Sequence, residues 1–178
     1  LESLSLETVR GNHDRGLAEF PYEKHGPTSR FAHDALTPAQ RAALGRLPVR
    51  VDLGDGILAV HGTPDDDTCY LLEEIVDGRL APARREVVAA RLGANARNAV
   101  ILCGHSHQQQ TRVGPEGCLI LNPGSVGCPV FADSPSAPTL EYRSPHARYA
   151  VLTRRNGRWG TEMLALEYDW HAASRRAI

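Results

Sequence analysis

The amino-acid sequence predicts a mixed α/β (α+β) domain, and three observations carry that expectation. Short apolar runs of strand length, such as Ala99-Val100-Ile101-Leu102-Cys103, end in polar segments that contain Gly and His. Between such runs lie helix-start signals, the clearest being Thr37-Pro38-Ala39-Gln40. Pairs of strand-like runs are joined by Gly-Asp-Gly or Asn-Gly, the residues that tight hairpin turns select.

Taken in order, Leu4 to Arg10 reads as a short strand feeding Gly11-Asn12-His13-Asp14. Phe20 to Asp34 is polar, holds several turn formers and reads as irregular. With Thr37 as N-cap, a helix is expected to run to about Leu47, where Pro48 stops it. Val49–Leu53 and Ile57–Val60 predict a hairpin turning at Gly54-Asp55-Gly56, whose second strand delivers His61-Gly62-Thr63-Pro64. Thr68 to Val76 and Pro82 to Leu92 read as helices separated by Asp77-Gly78. The strand Ala99–Cys103 then leads into Gly104-His105-Ser106-His107. Thr111–Val113 and Cys118–Leu121 predict a second hairpin, followed by the loop Asn122-Pro123-Gly124-Ser125-Val126-Gly127. Asp133 to Ser144 is rich in Pro and Ser and reads as a surface loop. Tyr149–Thr153 and Trp159–Leu166 close a third hairpin around Asn156-Gly157, and Tyr168 to Arg176 reads as a short terminal helix.

Composition narrows the function classes. A chain of 178 residues with 42% hydrophobic content suits one domain, residues 1–178, with a sizeable core. The 20 basic and 21 acidic residues leave a net charge of −1, so no global basic field attracts nucleic acid or an anionic membrane. No apolar run is long enough to span a bilayer and no signal peptide opens the chain, so a cytoplasmic protein is expected. Cys69, Cys103, Cys118 and Cys128 show no CxxC spacing; Cys103 reads as a buried thiol, and a reducing compartment fits better than a disulfide framework.

The chemistry lies in three segments, Gly11-Asn12-His13-Asp14, His61-Gly62 and Gly104-His105-Ser106-His107. Each follows an apolar run and sets Gly beside His. Neutral imidazole is a common ligand for divalent transition metals, and an Asn carbonyl oxygen adds a harder donor. Gly permits sharp turns and close approach of a metal or phosphate. At a turn, His105 and His107 can aim at two adjacent metals. Any one of these histidines alone would more often be a hydrogen-bonded strand-end residue; the ordered set of three is the signal.

The order Gly-Asn-His-Asp, His-Gly, Gly-His-Ser-His and then Asn-Pro-Gly-Ser-Val-Gly resembles the calcineurin-like metallophosphoesterase superfamily, in particular its YfcE-like phosphodiesterase branch. The resemblance spans Thr8 to about Trp170. It implies a four-layer αββα sandwich with the metals at the strand ends. It further implies that Asn12, His61 and His105 bind one metal and His107 the other, while His13 faces the substrate phosphate. The implied cofactors are two divalent transition metals (Mn, Fe, Ni or Zn), and the implied substrate is a small-molecule phosphate ester, monoester or diester. Two such ions, about 3.5–4 Å apart, activate a shared water and hold the phosphate oxygens. His13 would stabilise developing charge or protonate the leaving oxygen. Asp14 has two readings, orienting His13 or capping the loop.

The chain also departs from that pattern. The family's Asp-x-His and Gly-Asp motifs precede Gly-Asn-His-Asp, and Leu1–Arg10 holds neither. The expectation is therefore a sandwich lacking its first strands, incomplete at the N-terminus, that binds at most one metal and turns over little. The alternative function is a catalytically inactive metal-binding or scaffold domain. Strand edges left open in this way would be free to pair, so a homo-oligomer is compatible. For Asn122–Gly127 a tight turn beside the Gly-His-Ser-His loop is preferred to a phosphate loop. Arg148 reads as a strand-edge cation before a phosphate ligand. His25, His33 and His171 read as solvated, and Asp65-Asp66-Asp67 as the start of the helix at Thr68.

Overall fold

In the computed structural model, residues 6–127, 130–131, 140–141 and 144–176 are described. Strands β1 (Arg50–Asp52) and β2 (Ile57–Val60) form the expected antiparallel hairpin, with Gly54, Asp55 and Gly56 all at positive φ in its turn. β2 then pairs in parallel with β5 (Val100–Leu102), and β5 in parallel with β7 (Leu119–Asn122). β6 (Gln110–Val113) closes the sheet antiparallel to β7, giving the order β1-β2-β5-β7-β6. The short aliphatic runs suit these central strands, which are covered on both faces and need no polar alternation. On one face Leu58, Val60, Ile101 and Ile120 pack against Val88 and Leu92 of helix α4 (Arg85–Leu92) and against Leu71 and Leu72. Burying each such side chain contributes about 1.5–3 kcal/mol, so this face anchors the sheet.

The amino-terminal third is helical. Residues 6–10 form no strand; their extended backbone is held where Arg10 N–H donates to Pro48 O at 2.7 Å. Gly11-Asn12-His13-Asp14 is likewise not a strand-end loop but the opening of helix α1 (Asn12–Glu19). Gly11 takes the extended N-cap conformation, and the Asp14 carboxylate accepts from its N–H at 2.8 Å, satisfying one orphan donor at the positive end of the helix. Phe20 to Asp34 is not irregular either. A 3₁₀ turn, Tyr22–Lys24, precedes α2 (Pro27–Ala35), which starts with Pro directly after Gly26. Helix α3 (Pro38–Gly45) has the expected capping box: Thr37 Oγ1 accepts from Gln40 N–H, and Gln40 Oε1 accepts from Thr37 N–H at 2.9 Å.

The expected helix at Thr68 does not form. Asp66 Oδ1 accepts from both the N–H and the hydroxyl of Thr68, closing a turn, and β3 (Glu73–Val76) follows. β3 pairs antiparallel with β4 (Arg79–Pro82) across Asp77 and Gly78, both at positive φ. Two β-branched residues before Asp-Gly are a hairpin signal, and that turn chemistry outweighs the helix-start reading. β4 also takes Pro82, so α4 begins later than expected.

β8 (Val130–Phe131) and β9 (Leu140–Glu141) form a short antiparallel pair, while most of Asp133–Ser144 lies outside the described residues. β10 (Ala147–Arg155) and β11 (Arg158–Leu166) make a long hairpin around Asn156-Gly157. It is tied to the main sheet by Gln109, whose Nε2 donates to the carbonyls of Tyr149 and Leu164. Helix α5 (Trp170–Arg176) ends the described chain. The mixed α/β class matches the expectation. Among the described residues no helix is long and apolar enough to cross a membrane, and Cys69, Cys103 and Cys118 form no disulfide. Cys103 is buried, which pushes its thiol pKa far up; Cys128 lies outside the described residues.

Candidate metal centre

Because β2, β5 and β7 run parallel, their carboxyl ends share one edge of the sheet. His61 follows β2, Gly104–His107 follow β5, and β7 ends at Asn122. Such an edge is where open α/β sheets place ligands. The loops are bonded to one another there. Gly104 N–H donates to His61 O at 2.7 Å, and Asn122 Nδ2 donates to Gly104 O at 2.8 Å.

The first turn of α1 meets this edge. Asn12 Oδ1 lies 2.9 Å from His61 Nε2. Gly11 makes that approach feasible: a Cβ there would sit 3.0 Å from His61 Cε1 and 3.1 Å from Nδ1. Gly62 is required more strictly, since a Cβ would lie 2.6 Å from the Asp66 carbonyl oxygen and 2.7 Å from that of Cys69. The His105 ring is 5.1 Å from the His61 ring, centre to centre, and stacks on Tyr70 at 4.7 Å. His105 Nε2 is 2.9 Å from Thr68 O. A carbonyl only accepts, so Nε2 carries the proton, and in the neutral ring the lone pair sits on Nδ1.

Burial first, and the neighbouring His105 ring second, push the His61 pKa down to about 4, against an opposing effect of Asp67. His61 is therefore neutral near pH 7, the form that binds a metal. The donor set fits an ion of borderline hardness. Asn12 Oδ1 and His61 Nε2 converge at 2.9 Å as a hydrogen-bonded pair, so an ion held by both would take the place of the proton between them.

Of the remaining expected site residues, His13 is exposed in the first turn of α1, near enough that its charge contributes to depressing His61. Asp14 makes the helix-capping bond already described. His105 and His107 both have left-handed backbone, φ 56° and 57°. That conformation costs a non-glycine residue about 1–2 kcal/mol. Among the described residues no three or more His, Cys, Asp or Glu side chains are grouped to hold an ion. The structure thus joins Asn12, His61 and His105, and does not close His107 with them into one such cluster.

The acidic triplet supplies no carboxylate to that set. Asp67 accepts two bonds from Arg15, Nε to Oδ2 at 2.7 Å and an Nη to Oδ1 at 2.9 Å, which hold its pKa below the usual range. Asp66 closes the turn at Thr68 rather than starting a helix. Beside His61 these residues line a cavity of about 260 Å³ with Arg10 and Thr63. Asn122–Gly127 is the tight turn expected: Asn122 Oδ1 accepts from Gly124 N–H at 3.0 Å. Arg148 donates to Gln109 Oε1 at 3.0 Å. His25 is buried rather than solvated, against the rings of His33 and Tyr22.

Sequence reasoning missed Thr68, Tyr70 and Glu73. The first two touch His105 through a carbonyl and a ring face, contacts that no motif spacing encodes. Glu73 is buried and its Oε1 accepts from Ser106 Oγ at 2.9 Å. The signal that could have placed it was the Asp-Gly turn following Ile75-Val76.

Comparisons with known proteins agree with this fold. Residues 1–144 match the family model described as the calcineurin-like phosphoesterase superfamily domain. A hypothetical protein of Pyrococcus horikoshii OT3 superposes with a TM-score of 0.69 at 16% identity, over 98% of this chain and 68% of that one. A metallophosphoesterase from Sphaerobacter thermophilus superposes with a TM-score of 0.60 at 20% identity, over 95% of this chain and 70% of that one. No curated protein matches the sequence.

Proposed function

The chain belongs to the calcineurin-like phosphoesterase superfamily, and from that premise we propose that Asn12, His61, His105 and His107 are the imidazole-rich half of a two-metal centre that hydrolyses small-molecule phosphate esters. The motif order further supports placement in the YfcE-like phosphodiesterase branch. The observation that carries the reading is the 2.9 Å approach of Asn12 Oδ1 to His61 Nε2, with His105 alongside. Bound divalent ions would supply charge neutralisation at the phosphate and a lowered pKa for a coordinated water. A set dominated by imidazole favours Mn²⁺, Fe²⁺, Ni²⁺ or Zn²⁺ over Mg²⁺.

The chain's own residues divide the work. Asn12 and His61 hold one ion. His105 joins them through Nδ1, its orientation fixed by Thr68 O and Tyr70. His107 serves the second ion. His13, one residue beyond Asn12 and exposed, stabilises charge on the phosphoryl oxygens or gives a proton to the leaving oxygen. Asp14 places His13 through the helix cap, because its carboxylate holds Gly11 N–H.

A second reading is a metal-binding module without turnover. It is favoured by the lack, among the described residues, of a grouped set of three His, Cys, Asp or Glu side chains. One experiment separates the two. The 178-residue chain is titrated with Mn²⁺, and hydrolysis of bis-p-nitrophenyl phosphate is followed alongside metal content. Mn²⁺-dependent turnover lost in His61→Ala supports the hydrolase. In His13→Ala, turnover should fall by about 10²–10⁴ with metal content unchanged. Metal bound without turnover supports the module, and no metal bound by the unmodified chain overturns both readings.

A further inference from the structure

We propose that Glu73 is the positioning residue of the Gly-His-Ser-His loop: from a hairpin outside the main sheet it holds the Ser106 hydroxyl and so sets the backbone that aims His105 and His107. Hydrogen-bond direction supports this. A carboxylate oxygen accepts, so the single Ser106 hydroxyl proton goes to Glu73 Oε1, 2.9 Å away. Ser106 Oγ is then left as an acceptor, and Asn122 Nδ2 donates to it at 3.0 Å. The other Nδ2 proton of Asn122 goes to Gly104 O at 2.8 Å, and its Oδ1 takes Gly124 N–H at 3.0 Å. Every donor and acceptor of the Asn122 side chain is therefore assigned. Gln110 Nε2 donates to the same Glu73 oxygen at 2.5 Å, from the strand that follows the loop.

The network encloses the loop. Ser106 and Asn122 are 0% and 1% exposed and Glu73 is 5% exposed, so water does not compete for these bonds. Ser106 stands between the two left-handed residues His105 and His107. Neither Gly nor Asn occupies those positions, and so the strained conformation needs an outside constraint. Glu73 itself is fixed at the backbone: an Arg91 Nη donates to its carbonyl at 2.7 Å, and an Arg112 Nη donates at 2.7 Å to the carbonyl of Ala83, the residue just after β4. β3 and β4 thus act on the candidate metal ligands without touching them.

The inference rests on the proposed metal role, and two readouts keep the two separable. The first is the dissociation constant for Co²⁺, taken from its visible absorption on titration of the full chain. Glu73→Ala should weaken binding about 10–100-fold, the range found when outer partners of metal ligands are removed. Glu73→Gln keeps an oxygen for Ser106 and Gln110 and should recover most of the affinity. The second readout uses metal-free protein: the ring ¹H–¹³C resonances of His105 and His107 should move in Glu73→Ala and return in Glu73→Gln. Should Glu73→Ala fail to fold, Ser106→Ala is carried through both measurements, with shifts of the same two rings expected. A folded Glu73→Ala or Ser106→Ala with unchanged affinity and unchanged ring resonances overturns the inference. If the unmodified chain binds no Co²⁺, the metal reading falls, and the ring resonances alone decide whether Glu73 positions the loop.

Discussion

The β10–β11 turn and the Gly104–His107 loop both use left-handed backbone, and they do so for opposite reasons. In the turn, the conformation falls on Asn156 and Gly157, residues that adopt it at little cost, and the flanking strands pair through Arg155 and Arg158. The turn is encoded by its own residues. In the loop it falls on His105 and His107, neither of them Gly or Asn, and costs each about 1–2 kcal/mol. There the conformation is held from outside, by Glu73 and Asn122 acting on Ser106. A loop whose geometry is imposed by buried partners is sensitive to substitutions far from it in sequence, whereas the conformation of the hairpin's turn depends on its own two residues.

Asn122→Ala is the strongest test of this contrast. It removes three hydrogen bonds, to Gly104 O, to Ser106 Oγ and from Gly124 N–H, so unfolding by urea should show a loss of about 3 kcal/mol. A loss below about 1 kcal/mol would mean that the loop is as locally encoded as the hairpin.

The next test uses pH. Burial, partly offset by hydrogen bonds from Ser106 and Gln110 and by the charge of Arg91, raises the Glu73 pKa above the ordinary glutamate value. A raised folded-state pKa gives stability that is fully present below the unfolded pKa and lost as pH rises through the folded one. The stability of Glu73→Gln relative to the parent should therefore climb over that acidic interval and level off above it. A flat difference across the interval would mean that the carboxyl is not titrating in a buried state.

At His107, comparing Gly with Ala isolates the backbone. His107→Gly should be more stable than His107→Ala by about 1 kcal/mol in the same urea assay. Equal stability would remove the claim of strain. Smallest is Asn156→Ala, which exchanges a tolerant residue for a less tolerant one in the exposed turn. A decrease of about 0.5 kcal/mol is expected, with Co²⁺ affinity unchanged. A change in affinity there would show that the two regions are coupled.

The same contrast explains what the sequence made legible. The three Asp-Gly or Asn-Gly turns, the Thr37 capping box and the aliphatic runs of β5 and β7 are local codes, though Asp77-Gly78 was overridden by a helix-start reading of Thr68. Asn12, His61 and His105 were singled out by the order of their motifs, and the structure brings the three side chains near one another. The opening of α1 was misread because Gly11-Asn12-His13-Asp14 contains turn formers that serve equally as a helix cap, with Asp14 at the third position. Tyr70 was invisible, since nothing within a few residues fixes the ring it meets in space, and for Glu73 the Asp77-Gly78 turn could place the hairpin but not the Ser106 hydroxyl the side chain reaches. His25 was misjudged for the same reason: its polar surroundings in sequence say nothing of the two rings that cover it.

The parallel pairing of β2 with β5 has a kinetic consequence. Ile57 pairs with Val100, and the whole β3–β4 and α4 excursion lies between them. Closing so long a loop must precede any contact that rewards it. The hairpins, by contrast, join neighbours along the chain and form on the microsecond scale. His61 and His105 therefore come together only with the slow, non-local step of folding. The appearance of their 5.1 Å ring contact in a refolding experiment would time the completion of the sheet rather than its nucleation.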